Sequence, residues 1–393
     1  MLEQPIRIGN IEVKNRIVKA AVVENMATED GRVTDELIRV YEKAAQGGAG
    51  LIISGGTYVQ TSGRNVKFQT GAHHDDLIPG LARMARAGQS NGARMVLQIS
   101  HGGRQCPPEF VGDDVIGPSP VMDTLTKVMP RAMSEDEIEE TVASFGMAAL
   151  RAREAGFDGV EIMAGHGYLI NEFLARRTNR REDKWGGSLE NRARFLFRVI
   201  ETIRRTVGPD YPVLIKINTE DQMKNGFSLD ECAWVCGRLP GLGIDAVKFS
   251  GGTYESALNI ARGDIPEAEI LEDYQGWERF RIKMIIRLMR RKFRFSEAYF
   301  LDNVKRLRKG IDIPVILVGG LRSPAIMERI VQAGDADMIA LGRPLIRQPG
   351  WPNRILAGDD RAATCINCNR CFIRISQAQP ARCYARIGKG ETD

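Results

Sequence analysis

The stretch VLIKINTEDQMKNGFSLDECAWVCGRLPGLGIDAVKFSGG, residues 213–252, holds one complete folding unit. It opens on a nearly unbroken apolar run, VLIKIN (213–218), as a strand covered on both faces requires. A helical stretch follows at 228–239, and a second apolar run, AVKFSGG (246–252), ends in paired glycines. The same kind of run recurs as RIVKAAV (16–22), GLIISGGTYV (50–59), RMVLQIS (94–100), GVEIM (159–163), PVILVGG (314–320) and MIALGR (338–343). Further helical stretches lie at 77–91, 134–155, 190–206 and 324–333. The one at 134–155 opens SEDEIEE, a serine cap with an acidic first turn. Eight strands alternating with helices predict an α/β protein, a parallel (β/α)8 (TIM) barrel. A doubly wound open sheet is the alternative, but eight units without a second domain suit closure better.

A chain of 393 residues at 43% hydrophobic content can bury a large core, and α/β barrels absorb this length as one unit. The balance of 55 basic and 50 acidic residues, +5, is too small to argue for nucleic acid. No apolar run reaches the ~18–20 residues of a membrane span. The N-terminus, MLEQPIRIGNIEVKNRIVKA, lacks an apolar signal core. Seven cysteines, four of them crowded at the C-terminus, argue against a disulfide framework and for a reducing cytoplasm. The expected layout is a barrel over 1–360, with insertions at about 102–133 and 255–297, followed by a cysteine-rich segment at 361–393.

The first insertion, rich in proline and glycine, reads as a wall or lid over the barrel mouth. The second contains RFRIKMIIRLMRRKFRF (279–295), basic with apolar residues at helical spacing. An amphipathic helix packed on the barrel is the favoured reading. A docking face for an acidic partner, a phosphorylated substrate or a membrane surface is the alternative.

Active sites of such barrels lie at the C-terminal ends of the strands. Strand 7 ends VGGLRS and strand 8 ends LGRPLI. Gly319, Gly320 and Gly342 let backbone N–H groups approach an anion and Arg343 adds a cation, which points to a phosphorylated ligand. On strand 3, LQISHGGR places Gln98 and His101 at the mouth, and an amide offers donor and acceptor to a heterocycle edge. Lys216 is a charge inside an apolar run, either functional or held in a structural ion pair. His166 and Tyr168, separated by one glycine, follow strand 4. On spacing alone such a pair is more often structural than catalytic.

The segment GHGYLINEFLARRTNRREDKWGGSLENR (165–192) resembles the signature of the Old Yellow Enzyme family of FMN-dependent ene-reductases. NRIVKAA, LQISHGGR, VILVGG and ALGRPLI fall in that family's order. The terminal cysteines narrow the likeness to the branch of 2,4-dienoyl-CoA reductase, trimethylamine dehydrogenase and 2-enoate reductase. The resemblance implies an FMN-bearing barrel in which Ala20, Ala21 and Val22 lie against the flavin, and Gly55 and Gln98 bond its pyrimidine edge. Lys216 would stand where many members have arginine and stabilise charge on the reduced flavin. Gly319, Gly320, Gly342 and Arg343 would take the phosphate. Tyr168 corresponds to the family's proton donor and His166 to one member of its carbonyl-holding pair. The other position of that pair is Met163, which cannot donate a hydrogen bond. Tyr254 falls where the dienoyl-CoA reductase pattern has a histidine that assists the tyrosine.

The cysteines run Cys365-x2-Cys368-x2-Cys371-x11-Cys383. Zinc sites come more often as two separated CxxC pairs, whereas three close thiols and one remote thiol suit a 4Fe-4S cluster. The spacing mixes those of the two nearest branch members. Cys106, Cys232 and Cys236 read as ordinary core residues.

The expected activity is therefore that of an FMN- and 4Fe-4S-dependent oxidoreductase reducing an activated C=C bond of a small unsaturated substrate. NAD(P)H is the expected reductant. No G-x-G-x-x-G follows a strand, so electrons are expected from a separate FAD/NAD(P)H-binding or electron-transfer protein, or from NAD(P)H over the flavin. The rival readings are an oxidative, amine-dehydrogenase-like flavoenzyme and an electron-transfer subunit. A homo-oligomer is left open.

Overall fold

The computed structural model describes residues 1–385, with the side chains of residues 257, 258, 273, 291 and 292 outside the described set. Eight parallel strands form a closed ring: β1 (Ile17–Lys19), β2 (Leu51–Ile53), β3 (Arg94–Ser100), β4 (Gly159–Ala164), β5 (Val213–Asn218), β6 (Ala246–Ser250), β7 (Val315–Val318) and β8 (Met338–Leu341). Each pairs with the next, and the Ile339–Ile17 register joins β8 back to β1. The closed barrel is thus the architecture, and the open sheet is excluded.

Side chains alternate as the pleat demands. Val18, Leu51, Val96, Leu214, Ala246, Ile316 and Met338 meet in one cluster inside the barrel. Their neighbours Ile17, Ile52, Leu97, Ile215, Val247, Leu317 and Ile339 pack outward against the helices. An N-terminal hairpin, Ile6–Ile8 paired with Ile11–Val13, adds the fully buried Ile8 and Val13 to the interior cluster. The apolar layer fills one part of the interior and polar side chains follow along the strands toward their C-terminal ends.

Around the ring lie α1 (Asp35–Gln46), α2 (Ile78–Gly88), α3 (Glu135–Glu154), α4 (Leu189–Val207), α5 (Leu229–Cys236), α6 (Leu301–Arg308), α7 (Pro324–Gln332) and α8 (Trp351–Leu356). Ser134 and Ser228 each form a reciprocal capping box, with Glu137 and Glu231 respectively. The apolar pattern marked five of these helices and passed over α1, α6 and α8. α6, LDNVKRLR, buries only Val304 and Leu307, too few to show a stripe.

Two expectations need correction. The strand expected over 50–59 ends at Ile53, where Ser-Gly-Gly breaks the ladder, and a two-residue bridge at Thr57–Tyr58 follows. The basic stretch does form a helix, Gly276–Lys292, but it buries only one side. Ile286 and the following Phe293 face inward, whereas Trp277, Phe280, Met284, Ile285 and Leu288 are exposed. Of the cysteine-rich segment, residues 386–393 lie outside the described set. No helix among the described residues is long and apolar enough to cross a membrane.

Candidate active site

A cavity of about 420 Å³ is lined by residues from the C-terminal ends of the strands. Ala20, Ala21 and Val22 form one wall, Gln98 and Lys216 come from β3 and β5, and Gly319, Gly320, Gly342 and Arg343 close another side. His166, Tyr168 and Tyr254 complete it. The structure therefore brings together every non-cysteine residue singled out in the sequence except Gly55 and His101, whose imidazole instead lies 3.2 Å from Ser62 Oγ and accepts from the Gly103 amide at 3.1 Å. The Gly55 amide donates to the phenol oxygen of Tyr41 at 3.0 Å, and a side chain there would meet Glu24 and the Val22 carbonyl. Its neighbour Gly56 faces the cavity instead.

The polar layer above the apolar barrel core is a connected network. Gln98 and Glu161 are register partners, as are Lys216 and Lys248. Gln98 Nε2 donates to Glu161 Oε1 at 2.5 Å, and Lys248 Nζ donates to the same oxygen at 2.8 Å. With its amide nitrogen so used, Gln98 keeps its carbonyl oxygen for a donor in the cavity. Lys216 has no hydrogen-bond or ion-pair partner among the described residues, although it is buried. Burial first, then the charge of Lys248, lower its pKa to about 7. A buried cation aimed into a cavity without an acceptor fits an anionic group of a bound molecule. Sequence reading missed Glu161 and Lys248. The signal that marked Lys216, a charge inside an apolar strand, was equally present in GVEIM and AVKFS.

The turn after β4 fixes two further groups. His166 stands at φ +61° and Gly167 at +80°, a left-handed pair that turns the chain sharply out of the strand. The His166 amide donates to Asn218 Oδ1 at 3.1 Å, and the Gly167 amide to Asn171 Oδ1 at 2.6 Å. The imidazole Nε2 lies 2.8 Å from Ser250 Oγ. Burial, then the charges of Lys216 and Lys248, hold His166 well below the usual imidazole range, so it is neutral. Tyr168 caps the following helix, with its ring 5.5 Å from that of Tyr254. Burial, and then proximity to Tyr254, push its phenol well above the ordinary value.

At the opposite wall, Gly319 and Gly320 have φ of +130° and +73°. A side chain at Gly319 would lie 2.8 Å from the Phe300 ring, and one at Gly320 the same distance from Tyr299. Arg343 lines the cavity but is already engaged: it donates to Asn369 Oδ1 at 2.5 Å and to the Arg262 carbonyl at 3.0 Å. Its guanidinium thereby holds the cysteine-rich segment and the second insertion together.

Cys365, Cys368, Cys371 and Cys383 all line one small hollow beside Arg343. Asn367 and Asn369, both left-handed, turn the chain between the thiols. Burial raises the Cys371 thiol to about 11 and shifts Cys365 upward as well. Among the described residues, no three His, Cys, Asp or Glu side chains converge closely enough to hold one metal ion. The ring of Tyr254 stacks at 5.9 Å on Phe372, which follows Cys371 directly. The two compartments are therefore in contact.

The lid expected over 102–133 is clamped from across the mouth. Glu255 accepts from the Thr124 amide at 3.1 Å, from the Thr124 hydroxyl at 2.8 Å, and from Arg104 at 2.6 Å. Arg177 adds a fourth donor at 3.2 Å. Asp123, Leu125 and Thr126 are thus brought to the cavity wall. Glu255 directly follows Tyr254, and no motif marked it.

The sequence profile of the family described as NADH:flavin oxidoreductase / NADH oxidase matches residues 1–257 and 266–361. The chain is 36% identical over 382 residues to the NADH oxidase of Thermoanaerobacter brockii, covering 96% of this chain and 54% of that protein. It is 32% identical over 396 residues to the cinnamate reductase of Clostridium sporogenes, with 98% and 57% covered. The structure of 2-naphthoyl-CoA reductase in complex with 2-naphthoyl-CoA superposes at a TM-score of 0.85 and 30% identity, covering 97% of this chain and 56% of that one. The chain spans about half the length of these three relatives. The chain belongs to the NADH:flavin oxidoreductase / NADH oxidase family, in agreement with the Old Yellow Enzyme signature at 165–192.

Proposed function

We propose that the chain is an FMN- and 4Fe-4S-dependent oxidoreductase that reduces an activated C=C bond in a conjugated, carbonyl-bearing substrate. The observation that carries this reading is the pairing within one cavity of an unpartnered buried cation, Lys216, with a buried phenol, Tyr168. The first suits an anionic flavin edge and the second a proton donor. The names of two relatives, cinnamate reductase and 2-naphthoyl-CoA reductase, agree with a conjugated substrate.

The residues present fit the groups proposed. Gln98 Oε1 and Lys216 Nζ would hold the flavin's polar edge, with the backbone of Ala20–Val22 against its ring. Gly319, Gly320 and Gly342 would admit the phosphate. When bound, FMN supplies the hydride. His166, neutral and set by Ser250, would donate one hydrogen bond to the substrate carbonyl. Met163 lines the same cavity and offers no donor, so polarisation of the carbonyl rests on fewer groups. Tyr168 holds its proton at neutral pH and delivers it to the substrate carbon, and Tyr254 orients the phenol. Four thiols lining one hollow supply the ligand number that a 4Fe-4S cluster takes.

Anaerobic purification followed by flavin, iron and sulfide analysis tests the cofactors, with about four irons per chain expected. A panel of enoates and enones with NADH and NADPH, set against a panel of amines with an artificial acceptor, tests the reaction. Turnover of amines without enoate reduction would replace this reading with an oxidative one. Cluster–flavin transfer without any substrate turnover would leave only an electron-transfer subunit.

A further inference from the structure

The helix Gly276–Lys292 has no part in the chemistry above. Its inner side is pinned: Ile286 is 4% exposed, Arg279 donates to the Leu271 carbonyl, and Arg290 pairs with Asp264 and Glu267. At 100° per residue, Trp277, Phe280, Met284 and Leu288 fall on one arc opposite that side, with Ile285 at its edge. They are 76%, 54%, 42% and 73% exposed, and Ile285 43%. Five large apolar side chains in twelve residues are therefore exposed, uncovered by any of the described residues. Arg281 and Arg287 lie on the two shoulders of the arc. Residues 276–294 carry eight basic side chains and one acidic, +7 in a chain that totals +5, so the remaining sequence sums to −2.

We infer that this helix is a docking surface for an anionic lipid bilayer, lying in the headgroup plane with the Trp277–Leu288 arc toward the acyl chains. A convex apolar stripe with arginine on both shoulders is the pattern of an interfacial helix. The apolar side chains enter the boundary while the arginine stems lie along it and their guanidiniums meet lipid phosphates. A second copy of the chain is a poor occupant, because an isologous contact would set Arg281 and Arg287 against the same arginines of the other copy. The charge is local to the helix, so it orients the molecule and does not coat it. The inference does not depend on the redox reading.

The test is co-sedimentation of the holoenzyme with vesicles of phosphatidylcholine containing one-quarter phosphatidylglycerol, against vesicles of phosphatidylcholine alone. The anionic vesicles should retain the protein at low salt and release it at high salt, with a blue shift of Trp277 emission on binding. Arg281→Gln with Arg287→Gln should lower the partition coefficient about thirtyfold. Trp277→Ser with Leu288→Ser should lower it about a hundredfold or more. All four positions are exposed, so unchanged melting temperatures are expected and will show that the fold is intact. A protein that stays in the supernatant with anionic vesicles at low salt overturns the inference. So does retention by immobilised polyglutamate without vesicle binding, which would give the face to an acidic protein. A solution dimer that Leu288→Ser dissociates overturns it too.

Discussion

Lys248 Nζ lies 2.7 Å from Glu161 Oε2 inside the barrel, whereas its register partner Lys216 has no carboxylate. Two cations and one anion thus share the polar layer beneath the cavity. The excess charge belongs to Lys216, which is the residue that faces the opening. Filling the cavity with an anionic group would neutralise it. The barrel is built to be short of one negative charge until something binds.

Lys216→Met should therefore stabilise the flavin-free protein and weaken flavin retention. The folded pKa of about 7 lies below the unfolded value of about 10.5, so between those limits the unfolded chain binds more protons. Stability of the flavin-free wild type should accordingly rise with pH from about 7 upward, and the penalty for a buried charge is fully present below that. Urea midpoints at pH 6 and pH 9 should show this rise in wild type and a smaller one in the variant, with the variant more stable at pH 6. Flavin affinity should fall roughly 10- to 100-fold, the worth of a charge-assisted hydrogen bond. Equal pH slopes in the two proteins would show that Lys216 is not the group in question.

Tyr168→Phe should lower enoate turnover about 10²- to 10⁴-fold, the range for loss of a general acid, with little change in flavin content. Because burial and Tyr254 hold the phenol above its ordinary value, its deprotonation should not limit the rate below pH 10. Tyr254→Phe should leave more activity than Tyr168→Phe, since Tyr254 stands behind the donor against Phe372. Stopped-flow reoxidation of the reduced enzyme by substrate, followed against pH, measures all three.

The barrel was legible because its strands are buried on both faces and read as apolar runs, and because Ser134 with its acidic first turn announces a helix. Lys216 was legible for the converse reason, as a charge where none is affordable. Glu161 and Lys248 carried the same signal, but their significance lies in a 2.8 Å contact between residues 87 apart in sequence. Glu255 was invisible for a related reason: a clamp is defined by its partners, and Thr124, Arg104 and Arg177 come from distant segments. The Gly276–Lys292 helix showed its period but not its environment. Two apolar stripes on one helix look alike in sequence, and only packing tells which is covered.

Glu255→Gln should loosen the lid without removing a group from the chemistry. Trypsin cleavage after the exposed Lys127 should quicken about tenfold or more, and the KM for substrate should rise more than kcat falls. Breaking one partner of a buried charge cluster costs about 3 kcal/mol, enough for a measurable drop in stability. Burial pushes this carboxyl up, but Arg177, Arg104 and Thr124 outweigh it and bring it to about 2. A depressed carboxyl contributes its stability above the unfolded value of about 4.3 and loses it only as pH falls toward 2. The wild-type lid should therefore cleave at the same rate at pH 7 and pH 5 with a protease active at both. Opening over that interval would assign the clamp to another group.

Arg343→Lys should injure the two compartments together. The guanidinium lines the active-site cavity and the cysteine hollow, and its two nitrogens reach Asn369 and the Arg262 carbonyl at once. Lysine keeps the charge but cannot span both acceptors, so the fork is what the variant removes. Asn369 sits between Cys368 and Cys371, and it in turn donates to the carbonyls of Ala261 and Asp264. Releasing it frees the turn that presents two of the four thiols. Iron and flavin per chain should then fall in parallel, measured on anaerobically purified protein. Cys383→Ser should instead lower iron alone, because that exposed thiol lines the hollow but not the active-site cavity. If Arg343→Lys lost flavin while keeping full iron, the arginine would serve the phosphate end of the cavity only, and the mechanical link between the two compartments would have to run through Tyr254 and Phe372.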